Sequence, residues 1–370
     1  MKKLYIAAGL IVVGLAVFAA YFFEGSSAHS NEVRIGVVLP LTGKSASAGE
    51  KSRNAALLAE HVLNERNPDM KAKVIVEDSQ SDPKVAASAA QKLITIDGVD
   101  ALMSEFTGPN NAISPIAKAA EKPFIFSGFS SDPGLNNPLA VKTFIDVEDA
   151  CARYARDAKA RGIQTVAMLD EAGVMKDCVR GLKQTYSDSE VTTLSLAATN
   201  GGPKPDLRTE IIKLQAQKVG AIVLVSFEPT SLAFLKQRSE LGLTAEVFCN
   251  RLNCATEAIV NTLGLQAMEG VRLFDSPVNE SFVTLYNKTY GETKPSDLQN
   301  AAFIYDAVLS LYEAQLACDK QDAQCIVAHV HPPTVAPSAT VAATESLSGK
   351  LITPAITFYQ IKGGKIVEIH

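Results

Sequence analysis

Two kinds of apolar spacing alternate along residues 33–126. The stretch 33–39 is continuously apolar, which predicts a buried strand, whereas residues 52–64 carry apolar side chains at helical spacing. The same alternation predicts strands at 73–76, 101–103 and 124–126, and helices at 83–94 and 110–120. Strands that alternate with helices in this way are typical of a parallel sheet that is covered by helices on both faces.

A second α/β sheet is predicted after a connection at 141–147. Its elements are strands at 164–169, 191–196, 221–225 and around Val247, and helices at 176–186, 206–218 and 229–241. Further helices are expected at 280–290 and 298–317, before a loop at 329–346 that is rich in Pro, Ala, Thr and Ser. The turn Gly363-Gly364 lies between 355–361 and 365–369 and predicts a terminal hairpin.

The first 31 residues stand apart from this pattern. Lys2 and Lys3 precede an unbroken apolar stretch at 4–23, and a polar segment follows it, which is the layout of an export signal. A helix of that length spans about 30 Å, enough to cross a bilayer, so an uncleaved membrane anchor is one expectation. A cleaved signal peptide is the other, because 28–30 has small residues at its first and third positions. An N-terminal lipid is not expected, since Cys151 is the first cysteine.

Composition and charge narrow the classes of function. The part of the 370-residue chain that follows residue 31 fits two domains of about 100–200 residues each. Net charge is −5 without a basic stripe, so nucleic acid is not an expected partner. The sequence has no G-x-G-x-x-G after the first strand, no phosphate-binding G-x-x-x-x-G-K-[ST] and no G-x-S-x-G. The sequence therefore predicts neither an enzyme nor a cofactor.

Six cysteines form an even set in a chain that carries an export signal, so disulfides are allowed. Cys249 and Cys254, and likewise Cys318 and Cys325, are close enough in sequence to close small loops, which leaves Cys151 with Cys178. Many other pairings remain open at this stage. A metal site is not expected, because no C-x-x-C occurs and the histidines are not expected to pair with the cysteines as ligands.

Several stretches of the chain, taken in order, resemble one known family. The opening 33–43, with Gly49 and Arg53-Asn54 after it, looks like the start of the branched-chain amino-acid-type (leucine/isoleucine/valine-binding) periplasmic substrate-binding proteins. The residues at the end of the second strand are also similar to that family: Asp78, Ser79, Asp82 and Pro83. Residues 99–125 and 235–243 match later units of the family, so the resemblance covers nearly all of 32–325, and the terminal hairpin also fits.

The resemblance implies an α/β fold of two doubly wound parallel-sheet lobes, the type I periplasmic-binding-protein fold, joined by three hinge crossings. The apolar stretch 4–23 adds an N-terminal hydrophobic helix before this fold. We expect lobe 1 to comprise 32–143 and 270–330, and lobe 2 to comprise 144–269 and 331–370. Ligands of open α/β sheets bind beyond the carboxyl ends of the strands. Two such edges that face each other can close around a solute by a hinge motion.

One loop of lobe 1 is expected to hold a ligand's carboxylate. It follows the strand 101–103 and contains Ser104, Thr107 and Gly108. The resemblance implies that the Thr107 hydroxyl and backbone N–H groups beside it bind this carboxylate. An ordinary helix N-cap at Thr107, before Pro109, is the alternative, and the two roles are compatible.

A second loop of lobe 1 and two positions of lobe 2 complete the predicted site. Ser130 and Ser131 match family positions that contact the ligand's amino and carboxylate groups, with a plain turn as the alternative. Phe227 is the expected aromatic residue of the cleft in lobe 2. Arg251 stands about where the family has an acid that pairs with an ammonium group, and an arginine there favours a carboxylate or phosphate. A solvated surface arginine is the alternative for Arg251.

These residues predict an extracytoplasmic or periplasmic protein that captures a small amino-acid-like or carboxylate-bearing molecule for an ABC permease. If the stretch 4–23 is retained, the chain would be tethered to the inner membrane and could act as a ligand sensor instead. A protein-interaction module without a transport role is the third possibility. It is considered because the aromatic residues that the family places near Ala48 and near 174–175 are absent.

Overall fold

The computed structural model describes residues 31–43, 45–171, 175–196, 205–340 and 354–369. The predicted N-terminal helix at 4–23, the cleavage site at 28–30 and part of the predicted loop at 329–346 lie outside these residues. Within the described ranges, none of the helices has the length and apolar character needed to cross a membrane.

The first half of the chain alternates strands and helices as expected. Its elements are β1 (Glu32–Leu39), α1 (Ala46–Arg66), β2 (Lys71–Asp78), α2 (Pro83–Thr95), β3 (Ala101–Glu105), α3 (Thr107–Ala119), β4 (Phe124–Ser127), α4 (Asp132–Leu135), β5 (Ala140–Lys142), α5 (Val147–Ala160), β6 (Val166–Asp170) and α6 (Met175–Lys183).

The second half continues the alternation and then adds helices before a terminal hairpin. Its elements are β7 (Val191–Ser195), α7 (Arg208–Ala216), β8 (Ala221–Val225), α8 (Glu228–Glu240), β9 (Glu246–Asn250), α9 (Arg251–Cys254), α10 (Glu257–Leu263), β10 (Arg272–Asp275), α11 (Glu280–Tyr290), α12 (Gln299–Ala317), α13 (Ala323–Ala328), β11 (Thr357–Lys362) and β12 (Lys365–Ile369).

Sheet 1 is a parallel sheet of five strands in the order β2-β1-β3-β4-β5. One face packs against α1, α11 and α12, where Leu58, Tyr305 and Tyr312 are fully buried. The other face packs against α2 and α3 through small side chains such as Ala90, and through Leu93. Both faces are therefore covered, as the continuous apolar pattern of its strands requires.

Sheet 2 has seven strands in the order β12-β11-β10-β9-β8-β6-β7. Strands β6 to β10 are parallel, and β11 and β12 add antiparallel strands at one edge. The β11–β12 turn is made by Gly363 and Gly364, whose φ angles of 60° and 68° lie in the left-handed region that glycine adopts without a Cβ clash. The Glu269 carboxylate accepts the N–H of Gly363 at 2.9 Å and so fixes this turn.

The chain passes between the two sheets more than once. It leaves sheet 1 after β5, returns to the core of sheet 1 after β10, and enters sheet 2 again at β11. The last passage falls on 341–353, outside the described residues, so the count of three hinge crossings stays a prediction.

The predicted lobe boundaries are wrong at two places. β10, assigned to lobe 1 within 270–330, pairs with β9 and β11 in sheet 2, so it belongs to lobe 2. Residues 336 and 339, assigned to lobe 2, are buried in the core of sheet 1. The Asp306 carboxylate on α12 holds this segment, because it accepts hydrogen bonds from the Ser338 hydroxyl and from the N–H groups of Ala339 and Thr340.

The structure contains three disulfides, Cys151–Cys178, Cys249–Cys254 and Cys318–Cys325. The first joins α5 to α6, and the second joins the end of β9 to the end of α9. The four sulfur-bearing residues of these two disulfides are fully buried. They therefore brace buried parts of lobe 2.

Candidate functional site

The carboxyl ends of β3 and β4 bring two predicted ligand loops together. The N–H of Phe106 donates to the carbonyl oxygen of Ser127 at 2.9 Å, and the Asn110 amide donates to the same oxygen at 2.8 Å. Phe106 has a φ of 70°, a strained conformation for a residue with a side chain. The two loops are thus tied to each other at the start of α3.

Gly128 allows this close approach. A Cβ atom added to Gly128 would lie 2.9 Å from Nδ2 of Asn110 and 3.5 Å from the backbone N of Thr107. Any larger residue would push the second loop away from the first turn of α3. Sequence reasoning placed Gly128 in the loop but assigned it no role.

The start of α3 has free capacity for an anion. Phe106 occupies the N-cap position and provides no side-chain hydrogen bond, so the N-cap alternative for Thr107 is wrong: Thr107 is the first helical residue. The early N–H groups of a helix lack partners within the helix, and the helix dipole makes this end positive. Thr107 and Gly108 are half-buried here, whereas Ser104 is fully buried and its Oγ has no hydrogen-bond partner among the described residues.

The second predicted loop is already engaged by protein groups. Ser130 is buried, and its Oγ accepts the N–H of Asp132 at 3.1 Å, which is the turn role considered from sequence. Ser131 donates its N–H to Oδ2 of Asp177 at 3.0 Å. Because Ser131 belongs to lobe 1 and Asp177 to α6 of lobe 2, this hydrogen bond joins the two lobes.

Lys142 holds the same loop from the end of β5. Its Nζ donates to the carbonyl oxygen of Phe129 at 2.7 Å and to Oγ of Ser131 at 3.3 Å. Burial lowers the pKa of Lys142 to about 8, although Asp146 and Asp177 act in the opposite direction. Lys142 was not predicted, because nothing in its short strand marks it as different from a surface lysine.

Asp177 is also absent from the predicted site. It is buried, pairs with the Arg180 guanidinium, and adjoins Cys178 of the α5–α6 disulfide. The disulfide fixes the first turn of α6 against α5, so the carboxylate that faces Ser131 is positioned by a covalent brace. The adjacent cysteine was the one sequence feature that could have drawn attention to it.

Phe227, which precedes α8, and Asp170, which ends β6, lie at the carboxyl edge of sheet 2. Phe227 is half-buried at the N-cap position of α8, and its N–H donates to Oε2 of Glu171 at 3.1 Å. Asp170, the last residue of β6, is buried beside Glu171. The loop at 172–174, where the family places an aromatic residue, lies outside the described residues. Ala48 is half-buried within α1.

Arg251 is the first residue of α9, and it already has an acidic partner in its own lobe. Its Nη1 lies 3.7 Å from Oδ2 of Asp275, and its guanidinium lies over the ring of Tyr359 at 5.3 Å. Its Nε is buried and has no hydrogen-bond partner among the described residues. Arg251 is therefore partly buried and paired within its own lobe, and part of its capacity for an anion is taken by Asp275.

Asp275 links the two lobes at the end of β10. Burial raises the pKa of Asp275 to about 6, and Arg251 acts in the opposite direction. The amide of Gln299, at the start of α12 in lobe 1, donates to this carboxylate and to the carbonyl oxygen of Ser276. Asp275 was missed because the four-residue strand that carries it is too short to show a period.

Comparison with known proteins decides the family. The model of a family described as periplasmic binding protein matches residues 32–362. This chain belongs to that family. The periplasmic binding protein family consists of solute-binding proteins, and its members are exported from the cytoplasm.

Relatives of this periplasmic binding protein are distant but cover most of both chains. The Leu/Ile/Val-binding protein homolog 6 of Brucella suis biovar 1 (strain 1330) is 25% identical over 322 residues, which is 81% of this chain and 80% of the relative. The Leu/Ile/Val-binding protein BraC3 of Rhizobium johnstonii is 21% identical over 365 residues, 92% of this chain and 94% of the relative.

Solved structures show the same fold. The leucine binding protein LivK of Thermotoga maritima MSB8 has 19% identity and a TM-score of 0.73, over 91% of this chain and 98% of that one. A solute binding protein of an ABC transporter from Rhodopseudomonas palustris BisB5, in complex with 3,4-dihydroxybenzoic acid, has 21% identity and a TM-score of 0.71 over 92% and 97%. LivJ of Streptococcus pneumoniae, in complex with isoleucine, has 16% identity and a TM-score of 0.71 over 91% and 99%.

One expectation about metals in this periplasmic binding protein needs correction. His329 follows Cys325 by four positions, and its Nδ1 lies 3.4 Å from Sγ of Cys318 and 3.5 Å from Sγ of Cys325. A histidine does therefore stand at ligand spacing from a cysteine. The two sulfur atoms are bonded to each other, which removes them as thiolate ligands in this oxidised form.

Proposed function

We propose that this protein is an extracytoplasmic solute-binding protein that captures a small carboxylate-bearing molecule between its lobes for an ABC transporter. The observation that carries the proposal is the start of α3, where the N-cap residue Phe106 makes no side-chain hydrogen bond and where Gly128 keeps a second loop close. The solutes named for two similar structures, isoleucine and 3,4-dihydroxybenzoic acid, differ in most groups but share a carboxylate.

The carboxylate would lie against the first turn of α3. There the Thr107 hydroxyl and the N–H groups of Thr107 and Gly108 would donate to it, and the positive end of the helix dipole would favour its charge. Because α3 spans 13 residues and is anchored by Asn110, its first turn is preorganised before ligand arrives. Preorganised donors lose little conformational entropy on binding.

Closure would bring lobe 2 over the solute. The Ser131–Asp177 hydrogen bond and the contact of Gln299 with Asp275 are direct contacts between the two lobes. Phe227 would cover the apolar part of the solute, and Ser130 and Ser131 would keep their loop in position. Arg251 would add a weaker attraction for an anion, since Asp275 already neutralises part of its charge. The closed form would then be presented to an ABC permease.

A thermal-shift and calorimetric screen of the purified protein tests the proposal. The panel comprises isoleucine, leucine, 4-hydroxybenzoate and 3,4-dihydroxybenzoate. A solute that binds only the folded state stabilises it by about 2.7 kcal/mol at 100 times its Kd. Thr107→Ala should weaken binding about 10-fold or more, because a hydrogen bond to a charged group contributes about 1.5–3 kcal/mol.

The matched control is Thr95→Ala, which removes an exposed threonine hydroxyl from α2. It should leave every affinity unchanged. If no carboxylate in the panel stabilises the protein, or if Thr95→Ala and Thr107→Ala have the same effect, solute capture at the start of α3 is contradicted.

A further inference from the structure

Glu105 is a buried acid that no described residue satisfies. It is the last residue of β3, two positions before Thr107, and only 2% of it is exposed. Neither carboxylate oxygen has a hydrogen-bond partner among the described residues. Buried polar atoms in folded proteins almost always have partners, so an unsatisfied carboxyl group at this position requires an explanation.

The strand pattern shows where Glu105 points. Ala101 and Met103 on the same strand are buried in the core that α1 and α12 cover, and alternation along β3 puts Glu105 on that face. Glu105 follows Met103 by two residues and is the last residue of the strand. It therefore lies at the carboxyl end of sheet 1, between α1 and the start of α12.

Neutral polar groups surround the carboxyl group. Burial raises the pKa of Glu105 to about 7, while Ser52 on α1 and Asn300 on α12 are close enough to lower it. Neither side chain meets the distance and angle of a hydrogen bond to Glu105, and Ser52 Oγ is itself buried without a partner in the part of the chain that the structure describes. Asn300 is half-buried and follows Gln299, whose amide reaches Asp275 of lobe 2.

We propose that Glu105 is a specificity-determining residue that receives a cationic donor group of the solute, while the start of α3 holds the solute's carboxylate. This inference rests on the proposed function, and it narrows the solute to a small zwitterion. An aromatic or aliphatic acid without a cationic group would leave Glu105 unpaired. The acidic partner of the cation then belongs to lobe 1, and the place in lobe 2 where an acid was expected holds Arg251.

Three matched probes separate the two charged groups: isoleucine, 3-methylpentanoate, which lacks the ammonium, and 2-methylbutylamine, which lacks the carboxylate. We expect isoleucine to bind at least 10-fold more tightly than 3-methylpentanoate. Glu105→Gln should weaken isoleucine at least 10-fold and leave 3-methylpentanoate within about 2-fold. Glu292→Gln, at an exposed position, is the control and should change neither affinity.

Proton linkage gives a second readout that a structural role would not produce. A cation that pairs with Glu105 favours its ionised form, so at pH 7 binding of isoleucine should release a fraction of a proton. Calorimetry in buffers of different ionisation enthalpy measures this release, which should vanish in Glu105→Gln. Proton uptake, or a release that survives the substitution, would overturn the inference.

A ligand-free measurement tests the premise that Glu105 has no structural partner. At pH 8 an unpaired buried carboxylate costs stability, so Glu105→Gln should raise the Tm by about 2–5 °C. A lower Tm would mean that Glu105 is a structural residue, and the inference would be wrong. Binding of 3,4-dihydroxybenzoate that ignores Glu105→Gln would also overturn it and leave the proposed function intact. No binding of any carboxylate would contradict the proposed function itself.

Discussion

The two edges of the cleft differ in how far their polar groups are already paired. On lobe 1, α3 begins without a side-chain cap, and the oxygens of Ser104 and Glu105 have no hydrogen-bond partners among the described residues. On lobe 2, Asp177 pairs with Arg180 and Ser131, and Arg251 pairs with Asp275. Polar groups left unpaired in one lobe suit recognition of a solute, and groups that pair across lobes suit closure.

This difference follows from the local sequence of each edge. In lobe 1 the residue before α3 is Phe106, which cannot cap a helix, and Gly128 leaves space next to it. In lobe 2 the end of β9 is followed at once by Arg251, within reach of the acid at the end of β10. Lobe 1 therefore leaves the N–H groups at the start of α3 available to a solute, while Arg251 of lobe 2 is partly neutralised within its own lobe.

The largest expected effect comes from closing the space at lobe 1. Gly128→Ala places a Cβ against Asn110 and the first turn of α3, so it should cost about 1–3 kcal/mol of stability and up to about 100-fold in solute affinity. Chemical denaturation and calorimetry measure the two effects. Gly134→Ala is the control, since its Cβ would meet only the Phe126 ring at 3.5 Å. Equal affinities for both variants would show that lobe 1 does not hold the solute.

A smaller effect is expected at the contact between lobes. Asp177→Asn removes the charge that faces the Ser131 N–H and Arg180, so the closed form should be less stable. We expect about a tenfold weaker affinity, mainly through faster dissociation. Stopped-flow kinetics measures it, with Asp188→Asn as an exposed control. Slower association with unchanged dissociation would show that Asp177 takes part in recognising the solute. That result would contradict the contrast drawn between the two lobes.

The smallest effect concerns Lys142 and pH. Burial lowers its pKa to about 8 from the usual 10.5. At a pH between these two values, Lys142 is protonated in the unfolded chain and neutral in the folded chain. The contribution of Lys142 to stability therefore rises with pH across this window. Urea unfolding at pH 8 and pH 10 should show the rise, and Lys142→Met should remove it. Lys236→Met, at an exposed position, should retain it; loss of the rise in both variants would contradict the assignment to Lys142.

Much of the fold was predictable because its strands are continuous apolar stretches. β8 and α11 match the expected bounds, and most other ends differ by a few residues. α5 was missed because its apolar face consists largely of alanines interrupted by charges. β10 was missed because only Leu273 and Phe274 mark it, and that omission moved the boundary of lobe 1.

The site was harder to predict because its key contacts are long-range. The loops around Thr107 and Ser130 follow strands that sequence identified, so their position at one edge was foreseeable. The partner of Arg251 is 24 residues away, on a strand that the apolar pattern did not reveal. Glu105 looks like an ordinary surface glutamate in the sequence, and only its burial without partners distinguishes it.

The most direct test of the central claim compares one variant from each edge by calorimetry. Thr107→Ala from lobe 1 and Arg251→Gln from lobe 2 are titrated with the best carboxylate found in the screen. Recognition by lobe 1 predicts a loss of about 10-fold or more for Thr107→Ala and of about threefold or less for Arg251→Gln, because Asp275 already pairs with that guanidinium. A large loss for Arg251→Gln with little change for Thr107→Ala would contradict the account and assign recognition to lobe 2.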